Sequence, residues 1–292
     1  MKFVFLVLHY KNADITMNCI DSILSTQTGR EFEVVIVDNA SGNGSLEQLR
    51  EKYDSFSNIY FVENRENLGY ARGNNAGFQF AKKELQADWI CLANNDVVFT
   101  DTQWITKIVE EYNRKPFYVL GPDIITPDGT HQNPFAASVP DKKAVSKKLF
   151  HDRVVYLLLK LGIQRKLKQA MNLQTDARQV DRQTTGEDFH GVLHGSCLVF
   201  SPDFIKEFDG FYNGTFLYAE EEILCYILSK LRRPYTYLST IQVEHRHSMS
   251  FKRAIDDEDK RKMTIVKNRI KSYQKFAKII RSGDKLERYL KG

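Results

Sequence analysis

Four short apolar runs in the first hundred residues, each closed by a polar turn and separated by helix-like segments, restrict this chain to one class of architecture. The runs are Phe3 to His9, Phe32 to Val37, Ile59 to Val62 and the stretch from Trp89 that breaks off at Asn94-Asn95-Asp96. Between them, Asp14 can cap a helix carrying Ile15, Cys19, Ile20, Ile23 and Leu24 at helical spacing, and Ser45 begins a short helix through about Tyr53. Asn67 to Gly77 leads into a third helix through Phe80, Ala81 and Lys83. Alternation at this rate predicts an α/β fold, a parallel sheet wrapped by helices.

The turns carry the chemistry. In such a sheet the segments that follow the strands converge on one edge, where ligands bind. That edge would gather His9 and Tyr10, then Asp38, then Asn67, Gly69, Arg72 and Asn75, and finally Asn94, Asn95 and Asp96. Any one of these is ordinary turn chemistry; four polar loops on one edge are not. Asp96 offers a hard oxygen donor to a divalent cation that keeps water and phosphate oxygens in its shell. Glycines in the 67–77 segment allow close backbone approach at a helix start that favours an anion, and Arg72 adds a two-pronged phosphate donor.

Composition removes other classes. Apolar content of 42% over 292 residues supports a substantial core rather than disorder. Cys19, Cys91, Cys197 and Cys225 are scattered with no CxxC pair, which points to buried free thiols in a reducing compartment. No stretch approaches the ~20 apolar residues that span a bilayer. Met1 to Leu8 resembles a short signal core but runs straight into His9, Tyr10 and Lys11 without a small-residue cleavage site, so a first core strand and a cytoplasmic protein are expected. Of the 42 Lys and Arg, twelve lie between Lys260 and Gly292 against two acids, leaving the rest of the chain net negative. That distribution argues against a nucleic-acid groove on the main body.

Val35–Ser45 (VIVDNASGNGS), Asn67–Gly77 (NLGYARGNNAG) and Leu92–Phe99 (LANNDVVF), in this order and spacing, resemble the family 2 glycosyltransferases with the GT-A fold. The similarity is greatest to the bacterial rhamnosyltransferase-like branch, in which Asn-Asn-Asp stands where other members carry Asp-x-Asp, and it continues from Gly191 to Ser250. It implies that Tyr10 and Asp38 hold the nucleoside, that Asn95 meets the ribose or the sugar, and that Asp96 with His245 holds Mg²⁺ or Mn²⁺ against the diphosphate. Arg246 and His247 become candidate phosphate contacts, and Ser250 follows His245 at the family's spacing. Asn94 in place of the usual Asp removes one negative charge.

Glu221 falls where the resemblance puts the catalytic base, with Glu220 beside it as the other candidate. Three acids at a helix start also complement its dipole, which is the bland explanation for Glu220-Glu221-Glu222. The activity implied is a metal-dependent, inverting single displacement. A sugar, rhamnose or another hexose, moves from a dTDP- or UDP-linked donor to a glycan or lipid-linked acceptor in bacterial surface polysaccharide synthesis. A nucleotidyltransferase is the competing enzyme class, but His9-Tyr10-Lys11-Asn12 lacks the glycine of a phosphate loop. A non-catalytic sugar-nucleotide-binding protein is the third reading.

The domain plan expected is a GT-A catalytic unit over 1–250 and a basic amphipathic tail over 251–292. Within the unit lie a nucleotide-sugar half (1–100), a helical basic insert (130–185) and an acceptor half (190–250). Lys142 to Arg182 carries eleven Lys or Arg against three Asp around Val154–Leu159, and the tail helix, about Asp259 to Arg281, aligns Val266, Ile270, Tyr273, Ala277 and Ile280. Basic amphipathic segments of this kind suit an anionic membrane surface at the inner face of the cell membrane, a second subunit, or the catalytic domain itself.

Overall fold

The computed structural model describes residues 1–27, 31–162, 189–246, 258–283 and 285–291. In chain order the elements are β1 (Phe3–His9), α1 (Ala13–Thr26), β2 (Phe32–Asp38), α2 (Ser45–Tyr53), β3 (Ile59–Glu63), α3 (Gly69–Lys83), β4 (Trp89–Asn94) and β5 (Val97–Phe99). There follow α4 (Trp104–Arg114), β6 (Val119–Ile125), α5 (Lys142–Lys160), β7 (Cys197–Phe200), α6 (Pro202–Glu207), α7 (Glu220–Lys230), β8 (Tyr235–His245) and α8 (Glu258–Ser282). His247, Ser250 and the insert beyond Gly162 up to Arg182 lie outside the described residues.

All eight strands join one sheet in the order β3-β2-β1-β4-β7-β6-β8-β5. β1 to β4 are mutually parallel, β7 runs antiparallel between β4 and β6, β6 and β8 are parallel, and β5 closes antiparallel on β8. β5 follows β4 after only Asn95 and Asp96, yet stands at the far end of the order. Three peptide links reach about 11 Å, whereas four flat inter-strand steps take about 19 Å. The sheet therefore curls until its last strand returns to the carboxyl end of β4. The Asn94–Asp96 break sits at that closing corner.

Both faces of the sheet are covered, which is why the strands read as continuous apolar runs. Val4, Leu6, Val35, Val37, Ile90 and Leu92 face a layer that includes α3, α6, α7 and α8. Phe3, Phe5, Val7, Val34, Ile36 and Cys91 face α1, α2 and α4. The four cysteines are buried and free, as their scatter implies.

One local reading changes. Asn12, not Asp14, caps α1: its Oδ1 accepts from the Ile15 amide at 3.2 Å, while Asp14 lies in the first turn beside the helix dipole. β7 begins only at Cys197, because Tyr70, Asn133 and the His194 ring take the backbone groups of residues 194–196 that a ladder would use. The C-terminal helix is part of the domain's packing. Val155 and Leu159 of α5 meet Val266 of α8, Arg269 forks onto the Asp152 carboxylate, and Tyr273, Phe276 and Ile279 enter the α7 layer. The tail's apolar side is thus spent inside the molecule. Among the described residues, no helix is long and apolar enough to cross a membrane.

Candidate active site

Asp96 is held by the closing corner. Its carbonyl accepts from the Arg246 amide at 2.9 Å, β5–β8 pairing sets Val97 opposite His245, and His245 Nε2 lies 3.1 Å from Asp96 Oδ1. On the other side of the ring, His245 Nδ1 lies 2.6 Å from Gln132 Oε1. An amide oxygen accepts, so Nδ1 donates to Gln132 and Nε2 faces the Asp96 carboxylate, where a proton or a divalent cation would bridge the two. Two cis ligands of an octahedral cation at about 2.1 Å stand about 3 Å apart, so the Asp96–His245 spacing fits Mg²⁺ or Mn²⁺, with Gln132 orienting the imidazole from behind. Water and a diphosphate would fill the remaining positions. Among the described residues no cluster of three or more His, Cys, Asp or Glu surrounds a metal position.

The donor-side residues divide into those that face the cleft and those that build it. Asp38 is buried, with Ser41 donating both its hydroxyl (2.5 Å) and its amide to the carboxylate. Tyr10 is half-buried on the rim, with the Lys11 ammonium 5.0 Å from its ring centre. His9 is fully buried, its Nδ1 on Thr16 Oγ1 (2.7 Å) and its Nε2 on Ser45 Oγ (2.8 Å). Burial lowers its pKa to about 4, so the ring is neutral and acts only through its neighbours. One neighbour matters: Asn95 Nδ2 donates to the same Thr16 hydroxyl at 3.0 Å. Asn94 donates its amide to the Ser196 carbonyl at 2.8 Å, its side chain half-buried at the corner.

Asn39 clamps the next loop, accepting from the Leu68 amide and donating to Asn67 Oδ1 and the Gly69 carbonyl. Asn67 itself is exposed, its Oδ1 also accepting from the Gly69 amide. Gly69 has φ +77°, and a Cβ there would overlap the Phe216 carbonyl, which accepts from the Tyr70 amide at 2.7 Å. Arg72 is exposed on the first turn of α3. Asn75 is buried and spent on Phe211 and Asn213, tying α3 to the acceptor half rather than reaching a ligand.

The three acids of α7 have three different fates. Tyr218 and Ala219, immediately before them, both adopt left-handed backbone (φ +75° and +69°), a strained pair for residues with side chains. Glu220 points inward, 3% exposed, and burial followed by the charge of Glu221 raises its pKa to about 8. Glu222 is pinned by the Tyr273 hydroxyl of α8 and by Lys148 Nζ of α5 at 3.4 Å. Glu221 lines a cavity of about 440 Å³ with Phe135, Lys148, Tyr218, Arg269 and Tyr273; Glu222 borders the same cavity but is spent on Tyr273 and Lys148. Its pKa is raised to about 7, chiefly by burial, which suits a proton acceptor near neutral pH.

Tyr70 ties the two corners together. Its hydroxyl donates to the Gly195 carbonyl at 2.5 Å, and a Cβ at Gly195 would lie 3.5 Å from that hydroxyl and 3.7 Å from Glu221 Oε2. Burial and the negative fields of Glu221, Glu220 and Asp96 push the phenol well above its ordinary range. The turn 194–196 lies between the two corners: the Ser196 carbonyl accepts from the Asn94 amide, Gly195 abuts Glu221, and the His194 and His245 rings stand 5.8 Å apart. Tyr70, Gln132, Lys148 and Tyr273 are the functional neighbours that sequence reading missed.

Residues 5–165, more than half of the chain, match the profile of Glycosyl transferase family 2. This chain belongs to that family. Over 221 residues it is 23% identical to the low-salt glycan biosynthesis hexosyltransferase Agl10 of Haloferax volcanii, covering 76% of this chain and 59% of that protein. It thus spans less than two thirds of that relative's length. It is 27% identical over 241 residues to the N-acetylglucosaminyl-diphospho-decaprenol L-rhamnosyltransferase of Mycobacterium tuberculosis, covering 78% of this chain and 70% of that one. Among solved structures, S. aureus TarS (residues 1–349) superposes with a TM-score of 0.54 at 16% identity, over 94% of this chain and 73% of that one. The mannosyltransferase PcManGT of Pyrobaculum calidifontis, solved with GDP-Man and Mn²⁺, gives 0.54 at 13% identity, over 96% and 72%. The curled mixed sheet is therefore a GT-A fold.

Proposed function

We propose that this glycosyltransferase moves a hexose, with rhamnose the first candidate, from a nucleoside diphosphate to a hydroxyl of a glycan or lipid-linked saccharide, inverting the anomeric centre. The reading is supported by Glu221, poised near neutral pH, and the Asp96–His245 pair bordering the same turn, 194–196. Glu221 takes the proton of the acceptor hydroxyl as its oxygen attacks the anomeric carbon. The nucleoside lies along Tyr10 and Asp38, and the diphosphate along the 67–72 loop and Arg72. Asp96 and His245 hold Mg²⁺ or Mn²⁺, which when bound stabilises charge on the departing diphosphate. Glu220, turned inward, stays out of the reaction.

The sugar is proposed from the rhamnosyltransferase relative, and the lipid-linked acceptor from that relative's named substrate. A surface-polysaccharide role at the inner face of a bacterial membrane is part of the same proposal. Thermal shift against a panel of dTDP-, UDP- and GDP-sugars with Mn²⁺ tests the donor side, because a bound donor raises stability by mass action. A positive donor followed by no transfer to any saccharide hydroxyl, and unaltered behaviour of Glu221→Gln, would overturn the reading.

A further inference from the structure

We propose that the outward face of α5 is a docking surface for an anionic lipid interface. At about 100° per residue the side chains α5 buries, Val145, Asp152, Val155 and Leu159, fall on one side of the helix. Phe150, Val154, Leu157 and Leu161, the last at the helix's C-cap, fall about 200° round from them, spaced i, i+4, i+7 and i+11. They are 70%, 40%, 55% and 61% exposed. Scattered apolar residues on a surface need no explanation, but a contiguous row on one helix marks an interaction site. Lys147 borders the row on one side and Arg153 and Lys160 on the other, all exposed.

Charge decides what covers the row. α5 carries six Lys or Arg, and its one acid, Asp152, is buried and already committed to Arg269. The adjoining α8 adds nine Lys or Arg against two acids. A second copy docked through this face would press two such cation fields together at low dielectric, at a direct cost. Anionic headgroups neutralise the same field while the acyl boundary takes the apolar row. The opposite edge of α5 supplies Lys148 and His151 to the cavity that holds Glu221.

The test is vesicle flotation of the full chain without nucleotide, so that it stands or falls apart from the glycosyl-transfer reading. The vesicles are phosphatidylcholine alone and phosphatidylcholine with about 30% phosphatidylglycerol, in about 50 and about 300 mM salt. Binding is expected on the anionic vesicles at low salt, at least about tenfold weaker at high salt and on the neutral vesicles. The double substitution Phe150→Ser with Leu157→Ser removes binding by about tenfold or more with an unchanged circular dichroism spectrum and melting point. Phe56→Ser, at an exposed apolar residue in the turn before β3 (41% exposed), leaves binding unchanged. A position-specific readout is available because Trp89 and Trp104 are both buried. Leu157→Trp should add blue-shifted emission on anionic vesicles, and Phe56→Trp should not. The proposal is overturned by no flotation on anionic vesicles, by flotation indifferent to the double substitution, or by a dimer in sedimentation that Leu157→Ser dissolves.

Discussion

At Asp96 the carboxylate is fixed by main chain: two residues between paired strands, an amide from Arg246, and a register that brings His245 opposite Val97. At Glu221 the fixing is done by side chains from far away. Tyr273 and Lys148 hold the neighbouring Glu222, Ser272 Oγ donates to the Leu217 carbonyl at 2.7 Å, and two left-handed residues turn the chain into α7. One end of the cleft is thus a property of sheet topology, and the other depends on the insert helix and the C-terminal helix keeping their places. Substitutions should therefore be local at the first end and transmissible at the second.

The largest effect separates the two ends outright. Glu221→Gln should lower turnover by about 10²–10⁴-fold while leaving the thermal shift given by donor and Mn²⁺ intact. Asp96→Asn should do the reverse in kind, abolishing that shift and costing about 10²-fold or more in turnover. If both variants lose donor binding equally, the division between the ends fails.

A third prediction concerns pH. Glu220 and Glu221 are raised to about 8 and about 7 against an ordinary 4.5. Between about 4.5 and 8 the folded chain therefore binds more protons than the unfolded chain, and their contribution destabilises the fold increasingly as pH rises. Glu220→Gln should raise stability at pH 8 relative to pH 5 by on the order of 1–3 kcal/mol in chemical denaturation. His9 has the opposite sign: lowered to about 4, it contributes stability that is present above 6.5 and is lost as pH falls through about 4. Turnover, in contrast, should rise with pH through about 7 as Glu221 loses its proton. A rate profile flat from pH 5.5 to 8 would remove Glu221 from the base role.

The smallest effect tests transmission. Tyr273→Phe removes only the hydroxyl on Glu222 and should cost about 0.5–1.5 kcal/mol of stability. It should slow turnover by about 3–10-fold without changing the donor shift. Loss of donor binding in that variant would mean the two ends are coupled through the sheet.

What could be read in the residues follows the same division. β1 to β4 and their polar loops were legible because apolar runs covered on both faces, and turn residues acting on their own backbone, are local signals. The Asp96 corner, lying in one such loop, came with them. His9 was misread as a rim residue although strand parity held the clue. It alternates with Phe3, Phe5 and Val7, all of which face α1 and its neighbours, so its ring turns inward. The Glu221 surroundings were not legible. Tyr70 meets Gly195 across 125 residues, Lys148 meets Glu222 across 74, and Gln132 meets His245 across 113. No periodicity or spacing carries such pairs. The split of the acids into inward Glu220, cleft-facing Glu221 and pinned Glu222 depends wholly on them.

The two-residue bridge from β4 to β5 leaves this enzyme a spot that tolerates no change of length. Adding or deleting one residue between Asn94 and Val97 would reverse the parity of β5, swing Val97 and Phe99 from core to outside, and carry the Asp96 carboxylate away from His245. Stability and chemistry would fail together, so the length of this bridge is fixed to the residue.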